Sequence, residues 1–454
     1  MRPAGFCVLI PSDVSEQSKS NQDQRPKRGR PKRPRVDLET IVGRKHVRAV
    51  QSYLVELRKL YPHPNRVLFY DDVVVAYLLA FFNPAVRSLR CVQDFSRLEA
   101  VNRFFSAEAV CRSTLSEANA LFDPRHLNGL IQQLRADLPR LAQQDKSLAH
   151  LIEQIVAFDG SLFRVAADVE WALKKRNEHT STRRFVRLNC AYCQATGVPL
   201  GVSVSGDDAK GEGTAAVELI RAAAQKADGQ AAGSWGDDPQ RIWLFDSGVV
   251  TFQLLETILG GGSHVLCNLR HQVGFTVEQE REWSDKDRTA GVVSDRVGHL
   301  SGSVGRTPPT ALLREVVVHY TDRGGKARRL RLLTDLLDLP AHLIAELYRY
   351  RWQVELFFRW LKVHARFRYL MSFSPNGVTL GFYIATIAAM LMCLHTQQGP
   401  SKYALNLFAA VACGLATPAE ILPILKRRER ERELERQRLA RKRAAKQAAE
   451  KQGE

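Results

Sequence analysis

Near His150 the hydrophobic pattern of this chain changes period, and that change constrains the fold more than any other feature. Between residues 41 and 144 the apolar residues come in long stretches, as in Val73-Val74-Val75-Ala76-Tyr77-Leu78-Leu79-Ala80-Phe81-Phe82. A run of that length favours a buried helix over a strand. Thr114-Leu115-Ser116-Glu117 has the spacing of a capping box, which would satisfy the free N–H groups of a new helix. After His150 the apolar runs shorten and are bounded by Gly and Asp, as strands require. They cover 155–158, 185–192 and 198–204, followed by a helical stretch at 214–226, a strand at 242–245, a helix at 250–259 and a strand at 264–269. Three consecutive strands, then helix, strand, helix and strand, give an α/β fold with a mixed sheet behind a helical N-terminal region.

The rhythm breaks again between residues 274 and 335, where runs at 292–300, 313–320 and 328–333 are β-rich and suggest an inserted β domain. Helix returns after Pro340 and continues to about residue 364, with a second helix at 378–395. Thr417-Pro418-Ala419-Glu420 caps a third, with proline in its first turn. Gly260-Gly261-Gly262 lacks the strand-before, helix-after context of a phosphate-binding loop and reads as a turn.

Composition bounds the function. The 454 residues are enough for two to four folded units, and 45% apolar with 25% charged residues excludes a collagen-like chain or one disordered throughout. The net charge of +18 points to a polyanionic partner, nucleic acid or an acidic membrane surface. Thirteen of those charges lie in two tails, residues 25–35 and 426–454. Residues 1–40 are expected to be a disordered basic tail. Within it Arg28-Gly29-Arg30-Pro31-Lys32 has the form of an extended basic core that enters the minor groove of A·T tracts, or else is a solvated tail. Residues 401–454 are expected to form a helical, basic C-terminal region.

Eight cysteines are too sparse for a disulfide scaffold, which suits a reducing compartment. Cys190 and Cys193 could be half of a zinc site with His264, Cys267 or His271, or simply buried thiols on a strand. The first twenty residues do not read as a secretory signal. The apolar stretch 378–394 falls just short of the ~20 residues needed to span a bilayer and reads as a buried helix, the other reading being a membrane anchor.

The segment richest in chemistry is Tyr348 to Lys362. On a helix turning ~100° per residue, Tyr348, Arg351, Glu355 and Lys362 fall within a stripe about 60° wide. The rest of the helix is mostly apolar or aromatic, so it packs on several sides. A merely solvated Arg351–Glu355 pair would contribute only ~0.3–0.5 kcal/mol, whereas buried charges must be paired or bound to a metal. Two further carboxylates, Asp159 in Ala157-Phe158-Asp159-Gly160-Ser161 and Asp246 in Phe245-Asp246-Ser247-Gly248, stand where apolar strands are expected to end. Each alone could be a turn former. Three converging carboxylates would suit hard divalent cations, two of which ~3.5–4 Å apart can clamp the oxygens of a phosphoryl transfer.

Asp-Gly-Ser after one strand, Asp-x-Gly after another, and Tyr-x2-Arg-x3-Glu-x6-Lys together resemble the signature of bacterial insertion-sequence transposases of the IS-four family, within the DDE superfamily. The second motif departs from the commoner Asp-Arg-Gly by having Ser247. The resemblance covers about residues 41–395. It implies a ribonuclease-H-like catalytic core over 151–273 and 336–400, interrupted by the β insertion at 274–335 and preceded by a helical DNA-binding domain at 41–150. It further implies that Asp159, Asp246 and Glu355 bind Mg²⁺, for which Mn²⁺ can substitute, and that Tyr348, Arg351 and Lys362 hold DNA phosphates. Arg270 matches a basic position that would touch DNA. Trp283, in the insertion, would stack on an unpaired base or else pack within its domain. The implied partners are double-stranded DNA, both element ends and target, and a second copy of the chain, with a cytoplasmic, nucleoid-associated location and no membrane. The rival reading is a DNA-binding or architectural protein whose acidic trio is inactive.

Overall fold

The computed structural model describes residues 44–452 except 64, 84, 103–104, 142–145, 147, 167–168, 177–181, 207–210, 225–237, 303–306, 323 and 366–369. The expected basic tail, with Arg28 and Arg30, lies outside the described residues.

Among the described residues seven helices precede the sheet: α1 (Arg44–Leu57), α2 (Tyr70–Phe82), α3 (Leu89–Phe95), α4 (Glu99–Asn102), α5 (Arg112–Leu121), α6 (Asn128–Ala136) and α7 (Ala149–Gln154). The apolar run at 73–82 is the buried helix α2, whose first turn is fixed by Asp72: its carboxylate accepts from the N–H groups of Phe69 (2.8 Å) and Ser106 (2.7 Å). The capping box expected at Thr114–Glu117 does not form. Helix α5 starts three residues earlier, at Arg112 with Cys111 as its N-cap, because that N–H is already satisfied by Gln93 Oε1 of α3 at 2.8 Å, which leaves Thr114 inside the helix.

The first four strands are β1 (Ile155–Val165), β2 (Leu173–Arg176), β3 (Thr182–Cys193) and β4 (Val198–Ser205). Helix α8 (Glu212–Ala224) leads to β5 (Ile242–Phe245), and α9 (Phe252–Gly260) leads through a turn with Gly262 at φ 77° to β6 (His264–Asn268). Strands β4, β3 and β1 pair antiparallel, whereas β1, β5 and β6 pair parallel, giving the order β4-β3-β1-β5-β6. Three antiparallel strands followed by two parallel ones make the ribonuclease-H-like mixed sheet expected of the core.

Residues 274–334 extend this sheet. Strands β7 (Gly274–Glu280), β8 (Val292–Ser301), β9 (Leu313–Thr321) and β10 (Ala327–Thr334) form an antiparallel series, with the short helix α10 (Asp285–Thr289) between β7 and β8. β10 joins the core edge by pairing Leu332, Leu333 and Thr334 with Asn268, Cys267 and Leu266 of β6. The chain then enters α11 (Ala341–Tyr348), a 3₁₀ turn (Arg349–Arg351), α12 (Trp352–Arg359) and a π turn (Trp360–His364), followed by α13 (Pro375–Thr396), α14 (Lys402–Ala412) and α15 (Pro418–Gln452).

The sheet is covered on both faces. Phe158, Trp243 and Phe245 pack beneath α8 and α9, while Ala157, Phe163 and Leu244 belong to a larger core shared with α2, α12 and α13. Helix α13 is long and apolar enough to cross a membrane, yet it is buried inside the fold from Leu380 to Leu394. It is the hub of the helical layer: Tyr77 of α2 donates to its Gly377 carbonyl at 3.0 Å, and Phe163 of β1 meets its Phe382 edge-on.

The extension is held by buried charge. Arg314, 1% exposed, makes a two-pronged bond to Asp295 (2.8 and 2.7 Å) and donates to the carbonyls of Leu337 (3.1 Å) and Leu339 ahead of α11. Glu315, fully buried, accepts from Arg331 (2.7 and 2.6 Å) and from Arg296. Removing one partner of such a pair strands the other charge, which costs about 3–5 kcal/mol. Arg314→Ala should therefore destabilise the protein by about that amount in a denaturant titration, and Asp295→Ala in the same chain should recover part of the loss. Strictly additive losses would show that the two side chains are not energetically paired.

Candidate active site

Asp159 was expected at a strand end, but β1 continues past it to Val165, because Gly160 through Val165 still pair with β3. What ends near Asp159 is the other ladder. The parallel pairing of β1 with β5 stops at Phe158 and Phe245, so Asp159 and Asp246 are the next residue of each strand. Each carboxylate accepts from the next backbone N–H: Asp159 Oδ1 from Gly160 within the strand and Asp246 Oδ1 from Ser247 at the turn after β5, both at 2.8 Å. Arg270 donates to the carbonyls of Ser247 (2.7 Å) and Gly248 (3.0 Å), fastening the loop that carries Asp246.

The rod from α11 to the π turn lies across this ladder end. Tyr348 donates its hydroxyl to the Phe245 carbonyl at 3.3 Å, the last residue before Asp246. At the other end Lys362 Nζ reaches Ser161 Oγ at 2.7 Å and stands 4.8 Å from the centre of the Phe163 ring. Ser161 and Phe163 share the face of Asp159, since alternate residues of a strand point the same way. Between these anchors Arg351 holds Glu355 at 2.6 Å, an i,i+4 pair in which the arginine is mostly buried. The expected stripe of four residues is therefore present and faces the two aspartates.

The charges interact. Burial pushes the Asp159 carboxyl up to about 6; the negative charges of Glu212 and Glu355 add to the rise, while the Gly160 N–H and Arg351 oppose it. Burial likewise raises the Tyr348 phenol, with Asp246 adding to the shift and Arg351 opposing it. Burial works against the charge on Arg351, but Tyr348, Glu355 and Asp246 around it outweigh that and its guanidinium is held more firmly protonated.

Among the described residues no three His, Cys, Asp or Glu side chains are drawn together closely enough to hold a metal ion. Glu355 is instead turned onto Arg351. The donor set nonetheless fits a hard divalent cation. It is all carboxylate oxygen, and Asp159 resists ionisation beside two other acids, a condition that a cation relieves.

Other expected site residues fall elsewhere. Trp283 is half-buried and packs against the main core, and Ser284 next to it caps α10 by accepting from Asp287 N. Cys190 and Cys193 are free, buried thiols lying in the two different cores of the sheet, an arrangement that does not make a zinc pair. Two neighbours of the site escaped the sequence reading. Trp352, 48% exposed, lines a cleft of about 1270 Å³ together with Asp246, Lys286, Arg349, Arg351 and Arg359. Glu212, at the first position of α8, lies against Gly160. Its one sequence signal was the glycine after Asp159.

Residues 151–391 match the family described as the transposase DDE domain. Among curated relatives, the transposase sequence y4zB of Sinorhizobium fredii is 28% identical over 150 residues, 33% of this chain and 41% of that protein. The transposase sequence of insertion sequence element IS5377 from Geobacillus stearothermophilus is 37% identical over 79 residues, 17% of this chain and 20% of that one. The chain thus spans less than half the length of these relatives. A solved structure, the piggyBac transposase synaptic complex with hairpin DNA, aligns over 88% of this chain and 84% of its own at 12% identity and a TM-score of 0.34. The family match runs from the helix before β1 into α13 and takes in more than half of the residues, and the chain belongs to the transposase DDE domain family.

Proposed function

We propose that this chain is a DNA transposase that cuts at the ends of its insertion sequence and transfers the 3′-OH ends to target DNA by metal-dependent phosphoryl transfer. The observation that carries the reading is the meeting of Asp159, Asp246 and the Arg351–Glu355 pair at the end of the β1/β5 ladder. In this reading the three carboxylates hold Mg²⁺, or Mn²⁺ in its place. Such ions supply Lewis-acid stabilisation of the attacking and leaving oxygens.

The protein's own groups then position the DNA. Arg351 and Lys362 offer cationic hydrogen-bond donors on either side of Glu355, suited to the phosphate at the cut and its neighbour. Tyr348, held on the Phe245 carbonyl, keeps the rod in register with Asp246. The cleft bordered by Lys286, Arg349 and Arg359 is the natural path for the duplex. Its partners are double-stranded DNA at the element ends and target, and a second copy of the chain on that DNA. Arg270, bonded to the Asp246 loop, acts by positioning that loop.

The deciding measurement is Mg²⁺-dependent strand cleavage of DNA carrying the element's terminal repeats, paired with a melting curve for each variant. Asp159→Asn and Glu355→Gln should each reduce cleavage by at least about a hundredfold while the protein stays folded and bound to DNA. Substantial cleavage by either folded variant would leave a DNA-binding protein without the proposed chemistry.

Stability should move the opposite way. A carboxyl raised from 3.8 to about 6 binds its proton more tightly in the folded state, so stability falls as pH rises from about 4 to 6 and then stays lower. In metal-free buffer at pH 7.5, Asp159→Asn should therefore melt above the wild type, a gain of roughly 2–3 kcal/mol. The difference should vanish below about pH 4, and an Asn variant that melts lower at neutral pH would contradict the crowded, uncompensated charge.

A further inference from the structure

Helix α15 carries no continuous apolar face beyond its first two turns, and its two halves differ in charge. Its buried residues end at Leu425. Its base is seated where Arg428 lies 5.1 Å over the Tyr403 ring of α14 and Glu429 accepts from Gln398 at 2.8 Å. From Lys426 to Glu435 bases and acids alternate and pair within the helix: Glu431 holds Arg428 at 3.1 Å and Arg427 at 3.8 Å. Such pairs support a helix that has no apolar face to bury. Beyond Glu435 the acids stop, and residues 436–449 hold six basic residues and no acidic one. Among the described residues of this half none is buried, so packing does not account for its charge. Arg438, Arg441 and Lys442 are exposed on one side of the helix, three and four positions apart, where like charges repel.

This charge continues a path that begins in the cleft. Arg359 borders the cleft and ends α12. Burial lowers the pKa of His364, at the end of the π turn, and the positive charges of Lys402 and Arg359 lower it further, so both cations stand near that ring. Lys402 opens α14, which packs on the π turn, and it lines a hollow with Arg428, Glu431, Arg432 and Glu435 of α15. The wholly basic half of the helix follows. We propose that this distal half of α15 is a second duplex-binding surface, which takes the phosphates of the DNA as it leaves the cleft past Arg359. The inference rests on the reading of the chain as a transposase whose duplex lies in that cleft. Charge complementarity selects the partner: binding a polyanion releases its counterions and relieves the repulsion within the helix, and an α-helix fits the major groove. A second copy of the chain fits this surface less well. Leu434 and Leu439, its exposed leucines, are too few and too far apart to make a seam of alternating three- and four-residue spacing.

The test is equilibrium binding of the full chain to a long DNA duplex in EDTA, where no cleavage occurs, read against salt concentration, with a melting curve and a molecular mass for each variant. The triple variant Arg438→Gln, Arg441→Gln, Lys442→Gln should lower the slope of log K against log salt by about 2 to 3, and a chain ending at Glu435 by about 5, both with an unchanged melting temperature. From Arg436 to Lys446 the helix rises about 15 Å, the length of about four base pairs, so the shortened chain should lose about that much of its hydroxyl-radical footprint at one end and keep the rest. A wild-type slope in the folded variants overturns the proposal, and so does a lower slope with the whole footprint intact. A shortened chain that loses a dimer while keeping its slope assigns the helix to contact between copies and overturns it as well. Should the shortened chain unfold, the triple variant decides alone. A wild-type chain that binds no duplex brings down the transposase reading and this inference with it, whereas wild-type binding with an unaltered variant brings down only the second surface.

Discussion

Phe158 and Phe245 are partners in the parallel ladder between β1 and β5, with ring centres 6.0 Å apart on one face of the sheet. Alternate residues of a strand face opposite ways, so Asp159 must turn to the other face. Its antiparallel partner Cys190 lies in the core on that side, and burial drives that thiol's pKa well above its ordinary value, with Asp159 adding to the shift. A one-residue slip of this ladder would bury the carboxylate under α8 and α9 and place Phe158 at the site. The apolar contacts of Trp243, Phe245 and Phe158 with those helices forbid the slip. Core packing thereby sets the position of the acids.

The remaining geometry is carried by arginines whose partners are mostly backbone carbonyls. Arg331, on β10, donates to the carbonyls of Arg270 (3.0 Å), His271 (3.2 Å) and Val273 (3.1 Å) while it is paired with Glu315. Arg270 in turn holds Ser247 and Gly248. The four added strands are thus connected, bond by bond, to the loop of Asp246. Arginine suits this task, since its planar fork offers five donors in fixed directions and keeps its charge when buried.

How much of this could be read in the sequence depends on the range over which each signal acts. Hydrophobic period is local, and it located β5, β6, α2 and α13 closely. The Tyr348–Lys362 spacing is local too, and the structure sets Tyr348 on the Phe245 carbonyl, Arg351 on Glu355 and Lys362 on Ser161, along the end of the β1/β5 ladder. Asp159 was misplaced at a strand end because the apolar run stops at Phe158, whereas the strand is prolonged by pairing with β3, a partner distant in sequence. The Thr114 box failed because Gln93, from another helix, had already satisfied the turn. Glu212 was missed, and the bonds of Arg270 to the Asp246 loop left no sign in the sequence, for the same reason: what each touches is set by tertiary packing. The joining of β10 to β6 leaves no mark in either strand's own pattern.

The rod shows why the local reading of the site survived imperfect helical geometry. A uniform α-helix turns ~100° per residue, but Arg349–Arg351 form a 3₁₀ turn, which over-rotates by about 20° per residue. Left alone, that would swing everything after Arg351 away from the face of Tyr348. The π turn at Trp360–His364 is wound more loosely and rotates the chain back, and Lys362 lies within it. Trp360 and Leu361 of that turn are buried, and Trp360 stacks on Phe357, so packing holds the chain in this wider winding. The two departures oppose each other, and the anchors at the ends, Tyr348 on Phe245 and Lys362 on Ser161, both reach the sheet. A single departure of either kind would keep the motif's spacing in sequence and still lose one of its two contacts in space.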